Sequence, residues 1–390
     1  MNIFLAVVFA SLISRLGYQM ARSPVLPTFA ADLGAGPELL GVIVAASTIT
    51  GVFFKLPAGA LSDMLGRKRM MLLGALFFAA PPFFYPFVGE PYLLLVLRFV
   101  HGFATAIFSP VAAAYVAGLS ETRRGARLGW YASMNDIGAT GGPLIGGFIL
   151  YFTASYPLTY LTVGVLGVLT LIVVLMLPDV QPARERAVRT LGERAREFGE
   201  GIREVVSVPP ILIASSIEAV MYFGYAAFLG FLPIYAKQAG LNDAEIALAL
   251  GAQLVAAMVI KPAAGRLSDQ FGRKPVIIVG LLFCVAALPL VFRSETFSTF
   301  ALVSAVLGVG VGTVTPVTNA LIADLASAKR LGAAMGVFGT VFDFGEAMGP
   351  IVAGFLIGGL GYASTFDVLA AATFAATLVL FFVVRDPRAR

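Results

Sequence analysis

A small set of charged and titratable residues interrupts long apolar runs in this chain, and its spacing points to proton and ion chemistry. Arg15, Tyr18 and Arg22 are spaced i, i+3, i+7, so a helix would place them on one face. Glu218, Tyr222 and Tyr225 are spaced i, i+4, i+7 and would also share a face. Arg98 stands three residues before His101, the single histidine. Lys55, Asp136, Lys261, Asp343 and Glu346 complete the set. A charge at a bilayer centre costs at least ~2.5 kcal/mol, so each needs a partner or a task. His101 is a candidate proton carrier because imidazole titrates at about 6.5. Glu218, Asp136, Asp343 and Glu346 compete for that role, since burial favours a neutral carboxyl group. The arginines could instead draw an organic anion. The alternative for all of them is structural, as salt bridges that fix helix packing.

Such residues need apolar elements to hold them, and the composition supplies these in excess. Of 390 residues, 59% are hydrophobic and 13% charged, against roughly 25% charged in soluble domains. Mean hydropathy is +0.91. A water-soluble fold of this size would need more polar surface, so an all-α membrane protein follows, set in a lipid bilayer. One cysteine excludes an internal disulfide framework. With one histidine beside it, there is no basis for a structural zinc site, and no metal or cofactor is expected. The net charge of +5 does not imply a nucleic-acid partner, because its placement matters more than its sum.

Twelve apolar runs approach the roughly 20 residues that span a bilayer. They cover about residues 3–29, 39–61, 70–88, 92–118, 128–152, 157–177, 209–236, 244–264, 275–292, 297–325, 331–359 and 364–384. With the N-terminus inside, cytoplasmic segments hold 20 of the 27 basic residues and external loops only two, Lys237 and Arg293. The positive-inside rule therefore places both termini in the cytoplasm, in a multi-pass protein of the inner (plasma) membrane. Residues 1–177 form one six-span half and 209–390 the other. Residues 178–208 form a cytoplasmic linker, read either as an amphipathic surface helix or as a plain charged connector.

The halves repeat each other. At an offset of 206, Pro27 falls on Pro233, Lys55 on Lys261, Asp63 on Asp269, and Gly66-Arg67-Lys68 on Gly272-Arg273-Lys274. One inserted residue near Leu331 moves the offset to 207, and Asp136 then falls on Asp343 and Gly142-Pro143 on Gly349-Pro350. Chance can match glycine to glycine, but it does not readily match a charged loop and lone intramembrane charges in register.

The loop Gly59-Ala-Leu-Ser-Asp63-Met-Leu-Gly66-Arg67-Lys68 and its copy, with Gly265, Asp269, Gly272 and Arg273, resemble the signature loop of the major facilitator superfamily. Both copies depart from the usual pattern after the aspartate, where Met64 and Gln270 stand. Gly138-x-x-x-Gly142-Pro143-x-x-Gly146-Gly147 is similar to the motif of twelve-helix drug:proton antiporters, and Arg98-x-x-His101-Gly102 resembles a motif linked to proton transfer. The resemblance implies two pseudo-symmetric six-helix bundles and alternating access. It implies a cytoplasmic latch at the loops, and proton coupling that involves Arg98 and His101. It implies a substrate cavity carrying Arg15, Tyr18, Arg22, Glu218, Tyr222 and Tyr225. It also brings span two to span eleven and span five to span eight, which would pair Lys55 with Asp343 and Lys261 with Asp136 as a gate between halves. The expected activity is proton-coupled multidrug efflux of small amphipathic compounds by a monomer. Organic-anion transport through the arginines is the alternative within transport, and a non-transporting receptor or scaffold is the alternative outside it. An enzyme is not expected, because no nucleophile–base set or phosphate loop stands out.

Overall fold

The computed structural model describes residues 2–119, 123–179, 209–326 and 331–384. The expected linker lies outside them, apart from its first two residues. The first half contains α1 (Ile3–Met20), α2 (Val25–Asp32), α3 (Pro37–Leu65), α4 (Arg67–Ala79), α5 (Pro91–Gly118), α6 (Arg124–Thr153) and α7 (Tyr156–Met176). A 3-10 segment, Pro81–Phe87, continues α4. The second half contains α8 (Pro209–Gln238), α9 (Asp243–Phe271), α10 (Arg273–Val291), α11 (Phe297–Leu325) and α12 (Leu331–Val383).

Among the described residues, ten segments are long and apolar enough to cross a bilayer, with α1 and α2 counted together as one. The glycine-rich α6 is another long helix. Within α12, Gly361 adopts φ +75° and separates two helices. These make the twelve spans that the hydropathy predicts. Local chemistry sets several starts. Ser155 accepts a hydrogen bond from the Leu158 amide at the start of α7. Asn242 and Glu245 cap each other's amides at the start of α9.

Between α1 and α2 the helix is interrupted: α1 ends at Met20 and the chain turns through 21–24, which places Arg22 in the turn, where its charge still acts on Tyr18. Pro24 explains this: it has no N–H to donate, and its ring disfavours helical backbone at the residue before it.

The backbone also records the duplication. Left-handed conformations occur at Gly34 and Gly240, at Gly66 and Gly272, and at Ala154 and Gly361. The first two pairs are 206 residues apart and the third 207, as the sequence repeat requires. Ala154 is the one non-glycine among them.

By contacts, the chain divides into two compact units. Unit 1 contains Met1–Ala35 and Ala46–Arg194, and unit 2 contains Gly36–Ala45 and Ala195–Arg390. In unit 1, α1 packs on α6 and α7, and α4 packs on α5 and α7. In unit 2, α8 packs on α12, α9 on α11, and α10 on both α11 and α12.

Candidate functional site

Small residues set the helix spacing that positions each polar cluster. In unit 1, Gly138, Gly142 and Gly146 of α6 face the backbone of α1 at Leu12, Leu16 and Met20. A methyl group added at Gly142 would stand 2.6 Å from the Leu16 carbonyl oxygen. Gly345 and Gly349 of α12 face Ala219 and Phe223 of α8 in the same way. Gly102 of α5 lies on Ser47 and Thr50 of α3, and Gly308 of α11 lies on Gln253 of α9. Pro143 sits inside α6 without ending it.

Unit 1 holds a buried aromatic and basic cluster. Arg98 and His101 are on one face of α5 and fully buried. The Arg98 guanidinium carbon lies 4.9 Å from the centre of the Tyr18 ring on α1, a cation–π contact. None of its three side-chain nitrogens has a hydrogen-bond acceptor. Tyr18 stands edge-on to His101 with ring centres 5.3 Å apart. The Tyr85 hydroxyl and His101 Nδ1 share a 3.2 Å hydrogen bond, while His101 Nε2 has none. Tyr85 is stacked on Tyr160 of α7 at 3.9 Å. Sequence reading missed Tyr85 and Tyr160. The cluster of three prolines and four aromatics at 81–87 was the available signal.

Unit 2 holds a buried acidic cluster. Glu218 on α8 is fully buried, and neither carboxylate oxygen has a hydrogen-bond partner. The hydroxyls of Thr318 and Thr315 lie close enough to act on the carboxyl group, but their own bonds run elsewhere. Thr318 donates to the Val314 carbonyl, and Thr315 shares a 3.1 Å bond with the Tyr222 hydroxyl. The Tyr225 hydroxyl donates to Gln253 Oε1 at 3.1 Å, and Gln253 Nε2 has no partner. Glu218, Tyr222 and Tyr225 thus sit together on α8, against α11 and α9. Asn135 and Asn319 each donate to a carbonyl of their own helix.

The two loop copies differ. In unit 2 the buried Arg273 bonds Asp324 at 3.0 Å, pairs with Asp269 at 2.7 Å, and reaches the Ser268 hydroxyl. In unit 1 Arg67 donates to the Ala114 carbonyl at 2.8 Å. Gly118 stands where the repeat has Asp324. The side chain of Asp63 lies outside the described residues, while Gly66 and Gly272 supply the turns before α4 and α10. Lys68 and Lys274 bond the carbonyls of Leu175 and Phe381, the same contact at the same offset. Such cations suit the exposed carbonyls of a helix C-terminus.

Of the remaining predicted residues, Arg22 acts electrostatically on Tyr18 and Glu346 on Tyr222. Lys55 and Lys261 are partly exposed, Asp136 is exposed, Asp343 is buried and Glu346 is partly buried, and each is engaged by a neighbour. Arg15 and Arg22 are partly exposed and also engaged. Beyond the spans, Arg293 forks onto both oxygens of Asp367 at 2.8 and 2.6 Å, and that hydrogen bonding raises the arginine above its ordinary pKa. Among the described residues no three histidine, cysteine or acidic side chains gather as metal ligands.

Several known proteins resemble this chain. An uncharacterized MFS-type transporter of Methanocaldococcus jannaschii is 26% identical over 356 residues, covering 88% of each chain. The quinolone resistance protein NorA of Staphylococcus aureus is 25% identical over 337 residues, covering 85% of this chain and 84% of that one. A crystal structure of the nucleoside transporter NupG superposes with a TM-score of 0.82 at 13% identity, covering 98% of this chain and all of that one. The sequence profile of the Major Facilitator Superfamily matches residues 7–242 and 214–390. With twelve spans, a duplicated backbone and that match across nearly the whole chain, the protein belongs to the Major Facilitator Superfamily, as a multi-pass membrane transporter of small molecules.

Proposed function

We propose that this transporter exports small amphipathic compounds in exchange for protons, by alternating access, with Glu218 as the proton-carrying group. The observation that carries this reading is a carboxyl group buried in unit 2 with no hydrogen bond to either oxygen. An ionised carboxylate without a counter-charge costs several kcal/mol in a low-dielectric interior, and taking a proton removes most of that cost. Tyr222 and Tyr225 beside it, with Arg15, Tyr18 and Arg22, line the substrate path in this reading. Resemblance to a quinolone resistance protein supports an amphipathic, drug-like substrate.

Arg98 cannot lose its proton, so its part in coupling is that of a fixed charge, with His101 as a switchable group beside it. Asp136, Asp343 and Glu346 are secondary carriers. Lys55–Asp343 and Lys261–Asp136 act as an inter-half gate that one protonation weakens. The loop copies at Asp63 and Asp269 act as the cytoplasmic latch. The protein works as a monomer in the plasma membrane with both termini cytoplasmic.

The test is transport in proteoliposomes with an imposed pH gradient. A cationic dye should move faster with the gradient than without it, and Glu218→Gln should remove that difference. Full gradient stimulation in that variant would sink the assignment. The unaccepted guanidinium of Arg98 favours organic-anion transport as a second reading. Anion flux independent of the gradient and lost in Arg15→Ala and Arg22→Ala would favour it.

A further inference from the structure

Among the described residues of unit 1, Arg98 is a buried positive charge with no acidic side chain bonded to it. Arg98 has no exposed surface, and all three guanidinium nitrogens lack an acceptor. Its close neighbours are the face of Tyr18 and the hydroxyl of Tyr85, and both are neutral groups that attract a cation without balancing its charge. Neutralisation offers no escape, because a guanidinium keeps its proton in proteins. Burying a charge in this way is unfavourable unless a partner is present for part of the working cycle.

His101 adds to the imbalance. Tyr85 engages its Nδ1, and when the hydroxyl donates there, the ring hydrogen sits on Nε2. That Nε2–H then has no acceptor either. Both residues approach the same tyrosine, Tyr18, and both lie on one face of α5. The cluster is rich in donors, with Arg98 its fully buried cation and the partly exposed Arg22 acting on Tyr18 from the turn, and the missing component is an acceptor that carries negative charge. Arg98 is the one fully buried cation among them, and its single charge matches a monovalent anion at that depth, whereas a dianion would bring more negative charge than the buried guanidinium offsets.

We propose that Arg98 and the Nε2–H of His101 bind a small monovalent anion inside unit 1. The anion has two sources of shared chemistry, a halide from solution or the carboxylate of a transported compound. Tyr85 is a positioning residue, because its bond to Nδ1 selects the tautomer that presents a donor at Nε2.

The experiment uses the purified full-length protein in nanodiscs, with sodium sulfate as background at constant ionic strength. Sodium chloride and sodium acetate are titrated separately, and thermal unfolding is followed in each. Chloride-35 NMR line width is measured in the chloride arm. The expected result is a saturable rise in melting temperature with at least one anion. A chloride response places the source in solution, and an acetate response without one places it in substrate carboxylates. Arg98→Gln should abolish the response, and Tyr85→Phe should weaken the apparent affinity severalfold. If Arg98→Gln does not fold, Arg98→Lys keeps the charge, loses the planar fork, and should weaken affinity at least tenfold. No response beyond sulfate in the native protein would overturn the proposal, and so would an unchanged response in the arginine variants. The measurement needs no gradient and no transport, so its outcome is separate from that of proton-coupled export through Glu218.

Discussion

The two units share a scaffold and differ in the charge each one buries. Glycine contacts repeat in register: Gly102 on Ser47 corresponds to Gly308 on Gln253, and both steps are 206 residues. Left-handed turns and the lysine caps of Lys68 and Lys274 repeat as well. The fully buried Arg98 and Glu218 do not. At the same offset Arg98 corresponds to Ser304 and Glu218 to Leu12. Unit 1 therefore holds an unaccepted cation and unit 2 an unpartnered acid. Duplication preserved what backbone approach demands, while the chemistry became private to each half.

The sharpest way to break this comparison is to remove one charge at a time. Glu218→Gln should lower gradient-driven transport by at least about tenfold, a barrier change of about 1.4 kcal/mol. Ser304→Ala, at the counterpart of Arg98, should leave transport close to native. Equal losses from both, measured as initial dye efflux at matched protein levels, would mean that the asymmetry carries no function.

The shared scaffold gives a second comparison, with a smaller effect. Gly349→Val would drive side-chain atoms into the Phe223 backbone, and Gly142→Val into Leu16. Each should cost about 2 kcal/mol by overpacking, seen as a lower melting temperature in detergent. Gly265→Ala meets nothing within 4 Å and should be close to neutral or slightly stabilising. A twin pair that differs widely would show that the two helix contacts are not equivalent.

The loops come next. Asp324→Asn removes a carboxylate from the buried Arg273, for which unit 1 offers only Gly118 at the matching place. Asp269 still holds the arginine, so a loss of about 1 kcal/mol is expected, again by thermal unfolding. No loss would show that Asp269 alone suffices. The smallest effect is at the turn pair Ala154 and Gly361. Ala154→Gly should relieve left-handed strain and stabilise by about 0.5 kcal/mol, while Gly361→Ala should cost about 1 kcal/mol. Opposite signs in the two units are the outcome to check.

Much of this molecule was legible from residue order. Hydropathy marked all twelve spans, since burial in lipid makes every turn of a helix apolar and needs no distant partner to be seen. The duplication was legible too, because Gly66 and Gly272 must turn the chain wherever it goes next. The break before Pro24 was less legible: helical periods count straight through 21–24, where the chain turns and Arg22 stands.

Only the tertiary structure decided which polar groups are satisfied. The sequence placed Arg98, His101 and Glu218 inside spans, but it could not say that Tyr18 would offer Arg98 a ring face rather than an acceptor. Nor could it say that Thr318 would turn its hydroxyl to Val314 and leave Glu218 without a bond. Tyr85 meets His101 only because α5 folds back alongside the 3-10 segment, and Arg273 finds Asp324 across 51 residues of chain. The physical reason is one of range. Hydropathy and backbone conformation are properties of a segment, whereas the partner of a buried charge is set by helices packed from far along the chain.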